Sequence, residues 1–326
     1  MEHMSLHEAK TTCDQIIEAV GTVFVGNRPV LRKLLAAGLA NGHVLFEDYP
    51  GLGKTLLAKV FARIIGCQYT RIQFTPDLLP TDIVGTRIWR QKDSQFELVK
   101  GPVFTHVLLA DEINRTPPKT QAALLEAMEE RHVTIDGETH TLDPPFFVLA
   151  TQNPIEQEGT YPLPEAQMDR FMLKMSTGYA QSLEEESTIL TRRIEWHRDD
   201  PTSDVRLLVS AEQFRALQEL AEHRIYVDKS ILDYISQIVR ATREHPAIEV
   251  GASPRGGLSL LRVSRAMALM YGRDFVTPDD VKSFTIDALA HRIILNIEES
   301  LEGLKPDRVV EEIVGGIPAP LEFTPR

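Results

Sequence analysis

The chain has 326 residues, 43% of them hydrophobic and 25% charged, an ordinary globular balance and enough length for two domains. Its 47 acidic residues against 35 lysines and arginines leave a formal charge of −12, which argues against wholesale coating of nucleic acid. No run approaches the roughly 20 apolar residues of a membrane-spanning helix. Cys13 and Cys67 make no disulfide framework, and the start carries acids where a signal peptide has a basic region. A reduced, cytoplasmic setting is therefore expected. His3 and His7 have the spacing of a helical metal pair, but two solvated residues near a terminus give the same spacing.

Residues 6–24 read as an amphipathic helix with Ile16, Ile17, Val20 and Phe24 on one stripe. Asn27-Arg28-Pro29 opens a second helix, which Asn41-Gly42 stops. His43–Glu47 is a short apolar strand, Asp48–Gly53 a loop, Thr55–Ile65 a helix and Gln68–Phe74 a second strand. This order begins a parallel α/β sheet. Phe104–Ala110 and Phe146–Thr151 are continuous apolar runs, as expected of strands buried on both faces, with a helix over Thr120–Arg131 between them. Two hairpins interrupt the pattern. One pairs Ile88–Arg90 with Gln95–Val99 around Lys92-Asp93-Ser94; the other turns on Asp136-Gly137 between Val133–Ile135 and Thr139–Leu142. Beyond about residue 180 the strands stop. Helical patterns follow near 183–197, 210–223, 228–243, 256–271, 278–291 and 297–303, with a polar segment at Arg198–Asp204 and an irregular tail from Ile317. The expected division is an α/β domain over 1–180, a connecting helix and linker over 181–204, and an all-helical domain over 205–326.

Between the first strand and its helix lies Asp48-Tyr49-Pro50-Gly51-Leu52-Gly53-Lys54-Thr55, followed by Leu56. A glycine-bearing loop in that context is a Walker A phosphate cradle. Its amides and the positive helix end attract phosphate, Lys54 neutralises the β- and γ-phosphates, and the Thr55 hydroxyl binds magnesium. The general pattern has glycine at the place of Asp48. The strand Val107–Ala110 ends in Asp111-Glu112, which the topology of an open sheet turns toward the phosphates. Asp111 is expected to hold hydrated magnesium and Glu112 to polarise the attacking water. Asn153, after the next strand, is placed to orient that water, although Asn-Pro is also a plain turn signal. Arg170 in Gln167-Met168-Asp169-Arg170-Phe171 is a candidate for transition-state charge stabilisation from a neighbouring subunit. Arg255 in Gly251–Gly257 opens a helix and is a candidate reporter of the γ-phosphate to the helical domain.

The order of these five motifs resembles that of AAA+ ATPases: Walker A, Walker B, sensor-1 Asn, arginine finger, then a helical lid carrying a sensor-2 Arg. The runs Asp111–Glu130, Ala150–Pro154, Gly159–Phe171 and Gly251–Arg255 resemble the MoxR subfamily in particular, and the resemblance extends from about 15 to about 305. It implies a P-loop core of parallel sheet between helices, followed by a smaller helical lid, and ATP with Mg2+ as cofactors. It also implies a homo-oligomer, typically a hexameric ring with ATP between subunits. The expected role is chaperone-like remodelling or activation of a protein complex, often with a partner carrying a von Willebrand factor A domain. The two hairpins match the family's inserts, which makes Trp89 and Phe96 candidates for client contact; packing of both aromatics against the core is the alternative. The client is not readable from the chain. Three other functions use the same loop: a nucleic-acid-stimulated motor, a small-molecule kinase, and a nucleotide-gated scaffold with little turnover. The acidic balance speaks against the first. The paired Asp111-Glu112 suits water better than an acceptor substrate and speaks against the second.

Overall fold

A computed structural model of the chain describes residues 4–92, 94–154, 159–197 and 200–321. His3, Asp93 of the first hairpin turn, Arg198 and Asp199 of the polar segment, and the last five residues of the tail lie outside the described residues. Helix α1 (Leu6–Val23) starts at a capping box in which Ser5 Oγ accepts from the Glu8 amide at 3.2 Å and the Glu8 carboxylate accepts from the Ser5 amide at 2.7 Å. Helix α2 (Arg28–Leu39) has a proline in its first turn, where the missing N–H costs nothing. Then come β1 (Val44–Glu47), α3 (Lys54–Ile64), β2 (Tyr69–Gln73), α4 (Pro80–Val84), β3 (Gly85–Arg90), β4 (Gln95–Lys100), β5 (Val107–Asp111), α5 (Pro118–Glu130), β6 (His132–Ile135), β7 (Glu138–Thr141), β8 (Phe147–Gln152), α6 (Glu165–Met168) and β9 (Leu173–Met175).

Five of these strands form one parallel sheet in the order β2-β5-β8-β1-β9. Side chains alternate across it: Val44 and Phe46 join the apolar cluster under α1–α3, and Leu45 joins the opposite one under α5. Burial on both faces explains the unbroken apolar runs. The strand expected from Phe104 begins only at Val107. Strand β9, only three residues long with a lysine in the middle, carries too little periodicity to be seen in sequence.

Both hairpins form. In β3–β4, Trp89 faces Phe96 across the ladder. In β6–β7 the turn residues Asp136 and Gly137 have φ of 49° and 85°, the left-handed pair a two-residue turn demands. An ion pair between Arg87 and Glu138 joins the two hairpins.

Beyond the sheet lie α7 (Leu183–Trp196), α8 (Ala211–His223), α9 (Lys229–Glu244), β10 (Ile248–Val250), α10 (Pro254–Met270), α11 (Pro278–Lys282), α12 (Thr285–Leu289), β11 (Ile294–Leu295), α13 (Ile297–Leu301) and α14 (Pro306–Gly316). Three expectations need correction. Strands do not stop near 180, since β10 and β11 pair antiparallel inside the helical region. The helix expected over 278–291 is divided into α11 and α12 by a turn at Ser283 and Phe284, where the Phe284 ring is buried in the core. Periodicity predicts no helix after 303, yet α14 forms and buries Val309, Val310 and Ile313. Helix α10 packs on α1, α2 and α8, so one apolar cluster runs from under the sheet into the lid.

Candidate active site

Because the strands are parallel, the sheet has a carboxyl end and an amino end, and each carries a cavity. The carboxyl-end cavity holds about 550 Å³ and is lined by Pro50, Gly51, Leu52, Gly53, Lys54, Thr55 and Leu56 of the loop, with Asp111, Glu112 and Asn153 facing them. Gly51 and Gly53 have φ of 85° and 74°, values an L side chain resists. The amides of Gly53, Lys54, Thr55 and Leu56 donate to nothing among the described residues. Unused donors at the start of an eleven-residue helix make an anion cradle.

Asp48 explains its own departure from the glycine pattern. Its φ is not positive, so no glycine is required there. Its buried carboxylate accepts from the Thr177 amide at 2.7 Å, from Thr177 Oγ1 at 2.8 Å and from Ser176 Oγ, bracing the loop against the segment after β9. Lys54 Nζ lies back on the loop, donating to the Tyr49 carbonyl at 2.8 Å. Burial pulls its pKa below the ordinary lysine value, opposed by the charges of Asp48, Asp111 and Glu112.

The two acids are held by residues that sequence reasoning missed. Thr151 Oγ1 donates to Asp111 Oδ1 at 2.6 Å and accepts from the Glu112 amide at 2.8 Å. Arg71 forms a salt bridge with Asp111 at 2.7 Å. Gln73 Nε2 donates to Glu112 Oε2 at 2.6 Å, and Arg115 pairs with the same oxygen at 3.1 Å. Glu112 sits at φ 58°, ψ 49°, a conformation uncommon for a non-glycine residue. Alternate residues Arg71 and Gln73 on β2, one strand over from the acids, were the only signal available in sequence. Lys59 of α3 and Asp200 of the linker also line this cavity and pair with each other.

The remaining two predicted site residues are not here. Arg170 and Arg255 line a second cavity, of about 360 Å³, together with Gly42, His43, Arg131 and Met172. His43 immediately precedes β1 and Met172 immediately precedes β9, so this cavity lies at the amino end of the sheet. Arg255 therefore does not reach the phosphate cradle of its own chain. It pairs with Glu129 of α5, and Arg170 pairs with the same carboxylate at 2.6 Å.

No cluster of three or more His, Cys, Asp or Glu able to hold a metal occurs among the described residues. Thr55 and Asp111, both hard-oxygen donors in one cavity, do fit a magnesium ion that keeps several waters and takes its other oxygens from phosphate. No helix of the described residues is long and apolar enough to cross a membrane.

A strand order of β2-β5-β8-β1-β9 with a glycine loop after β1 and two acids at the end of β5, followed by a helical lid, defines the AAA+ class of P-loop proteins. Residues 43–173 match the family model of the ATPase family associated with various cellular activities, and residues 240–313 match the AAA lid domain. The chain is 46% identical over 306 residues to an uncharacterized protein of Bacillus subtilis, YeaC, covering 94% of each. It is 42% identical over 318 residues to the chaperone MoxR1 of Mycobacterium tuberculosis, covering 95% of this chain and 82% of that one. A crystal structure of a candidate ATPase from Cytophaga hutchinsonii superposes with a TM-score of 0.89 at 41% identity, covering 97% of both chains. The chain belongs to the MoxR family of AAA+ ATPases.

Proposed function

We propose that this protein hydrolyses ATP with magnesium as a head-to-tail ring, a hexamer by family resemblance, and uses the cycle to remodel or activate a protein complex. One observation carries the ring: the phosphate cradle lies at the carboxyl end of the sheet and the paired arginines at the amino end. A heterologous contact that brings one end of the sheet against the other, repeated around a closed ring, completes every site. In this reading Lys54 and the loop from Pro50 to Leu56 bind the phosphates, and Thr55 and Asp111 hold the hydrated magnesium. Glu112 takes the proton of the attacking water, which Asn153 orients. Arg170 and Arg255 arrive from the neighbouring chain and neutralise charge on the transferring phosphoryl group. Magnesium, when bound, would add positive charge beside the phosphates. We take the division at 180 and 204 as functional too, since none of the fourteen residues of α7 is buried and this helix can carry lid motion.

The chaperone role follows MoxR1, whose name records it, and the exposed hairpin supports it. Trp89 and Phe96 stack edge to face with ring centroids 5.1 Å apart, yet are 53% and 66% exposed, so they pack on each other and not into the core. Changing both to Ala should remove stimulation by client and leave basal turnover intact. A von Willebrand factor A partner rests on resemblance alone, and co-purification from the native cell tests it. A cytoplasmic setting is supported by two buried, unpaired cysteines. The decisive experiment on the chemistry is Glu112→Gln. Nucleotide affinity should persist while turnover disappears; a variant that still hydrolyses ATP at the native rate contradicts the assignment.

A further inference from the structure

The two arginines at the amino end are not independent of each other. Glu129, in the last turn of α5, accepts from Arg170 Nε on Oε2 at 2.6 Å and from Arg255 Nη2 on Oε1. One arginine belongs to the segment between α6 and β9; the other opens the lid helix α10. Neither side chain makes another hydrogen bond among the described residues, so the remaining N–H groups of both guanidiniums are free to meet an anion. All three groups stay partly open to solvent, with side-chain exposures of 29%, 46% and 30% for Arg170, Arg255 and Glu129.

Residues one and two positions before the arginines are also joined. Ser253 Oγ donates to Asp169 Oδ2 at 3.0 Å, and Arg292, buried in the lid, donates Nε to Asp169 Oδ1 at 2.7 Å. Arg292 further donates to the carbonyls of Asp169 and Phe171 at 3.0 and 2.7 Å. The junction between lid and sheet is thus already secured by buried contacts, and an exposed carboxylate adds little stability to it. What Glu129 adds is electrostatic and geometric. Five arginines line this cavity against two carboxylates. Two guanidiniums aimed at one phosphate repel each other, and a carboxylate shared between them offsets that repulsion and fixes both side chains. The hydrogen bond from Arg170 holds the Glu129 carboxyl below its usual range, with the Arg255 and Arg170 charges acting the same way, so it is ionised whenever the pair is needed.

We propose that Glu129 is a positioning residue for catalysis in the neighbouring subunit, holding Arg170 and Arg255 as one unit so that the sheet and the lid of one chain meet the next chain's nucleotide together. This rests on the reading that the two arginines act across the ring contact. Loss of the clamp should misplace both guanidiniums without touching the chain's own phosphate cradle.

The test uses full-length chains in assembled form and three measurements: ATP turnover, ATP affinity, and turnover after mixing with Lys54→Ala chains, which have intact arginines and a dead pocket. For Glu129→Gln we expect turnover to fall roughly 10²-fold, the scale of a small misplacement, with ATP affinity unchanged. Mixing should restore turnover, because each Gln-variant pocket next to a Lys54→Ala chain meets a properly held pair. Arg170→Ala is mixed in parallel as the reference. If Arg170→Ala is rescued while Glu129→Gln either keeps native turnover or loses it without rescue, the clamp is overturned and the reading of the arginines stands. If Arg170→Ala itself is not rescued, that reading fails and the clamp with it. Should Glu129→Gln not assemble, Glu129→Asp replaces it with the same outcomes: it keeps the charge but draws it back by one methylene.

Discussion

At the carboxyl end of the sheet, the groups proposed to meet ATP come from contiguous stretches: seven residues after β1, two after the apolar run of β5, one after β8. At the amino end, the corresponding groups come from places far apart in the chain, with Glu129, Arg170 and Arg255 separated by 41 and then by 85 residues. The contrast reflects what each end has to do. Phosphate binding needs backbone amides in sequence order, which only a local loop supplies. The proposed sensing of a neighbour's nucleotide needs rigid parts of both domains at one point, which tertiary packing supplies. Local structure builds the proposed binding end, and the fold builds the proposed signalling end.

The same contrast sets what was legible in the sequence. The loop at Gly51–Thr55 and the acids at Asp111-Glu112 were readable because strand, loop and helix signals adjoin them. The supporting net of Arg71, Gln73 and Thr151 was not, because it joins side chains on three different strands. Glu129 was hidden for another reason. It lies in the acidic end of α5, beside Glu126 and Glu130, where a carboxylate reads as a solvated face. Arg170 and Arg255 were singled out as candidates by motif, but their shared partner appears only in the folded chain. The short strands β9, β10 and β11 were missed because two or three residues carry no measurable alternation.

Three experiments can break or sharpen the contrast. The largest effect is expected for Arg170→Ala, with turnover falling roughly 10³-fold or more while ATP affinity, measured on the same protein, stays within the native range. A loss of affinity matching the loss of turnover would move Arg170 to the binding end. A smaller effect is expected for Asp48→Gly, which restores the general glycine pattern. It should destabilise the protein by about 1–3 kcal/mol in denaturant unfolding, since the buried Thr177 amide loses its acceptor. A stabilised variant would show that the brace is dispensable.

A further effect is one of pH. His43 and His291 are buried, and burial is the first cause that holds both pKa values well below the ordinary histidine value. His43 bridges the Met128 carbonyl and the Val148 amide, and His291 faces the Phe171 carbonyl. Both therefore brace the amino end. Below about pH 6.5 the unfolded chain takes up protons at these sites and the folded chain does not. Stability should then fall as pH drops from about 6.5 toward 5, by at most about 1.4 kcal/mol per pH unit for each histidine. His291→Asn should flatten that slope. An unchanged slope would mean that other groups, notably the carboxylates, govern the acid limb.

The central claim is that the site is complete only when the amino end of one sheet meets the carboxyl end of the next. The most direct measurement is the structure of the assembled protein with magnesium and a non-hydrolysable ATP analogue. The account predicts Arg170 of one chain within hydrogen-bond reach, about 3 Å, of the γ-phosphate held by Lys54 of its neighbour, with Glu129 still at its back. An assembly in which nucleotide sits at every Lys54 and no arginine of an adjoining chain approaches it would contradict the account.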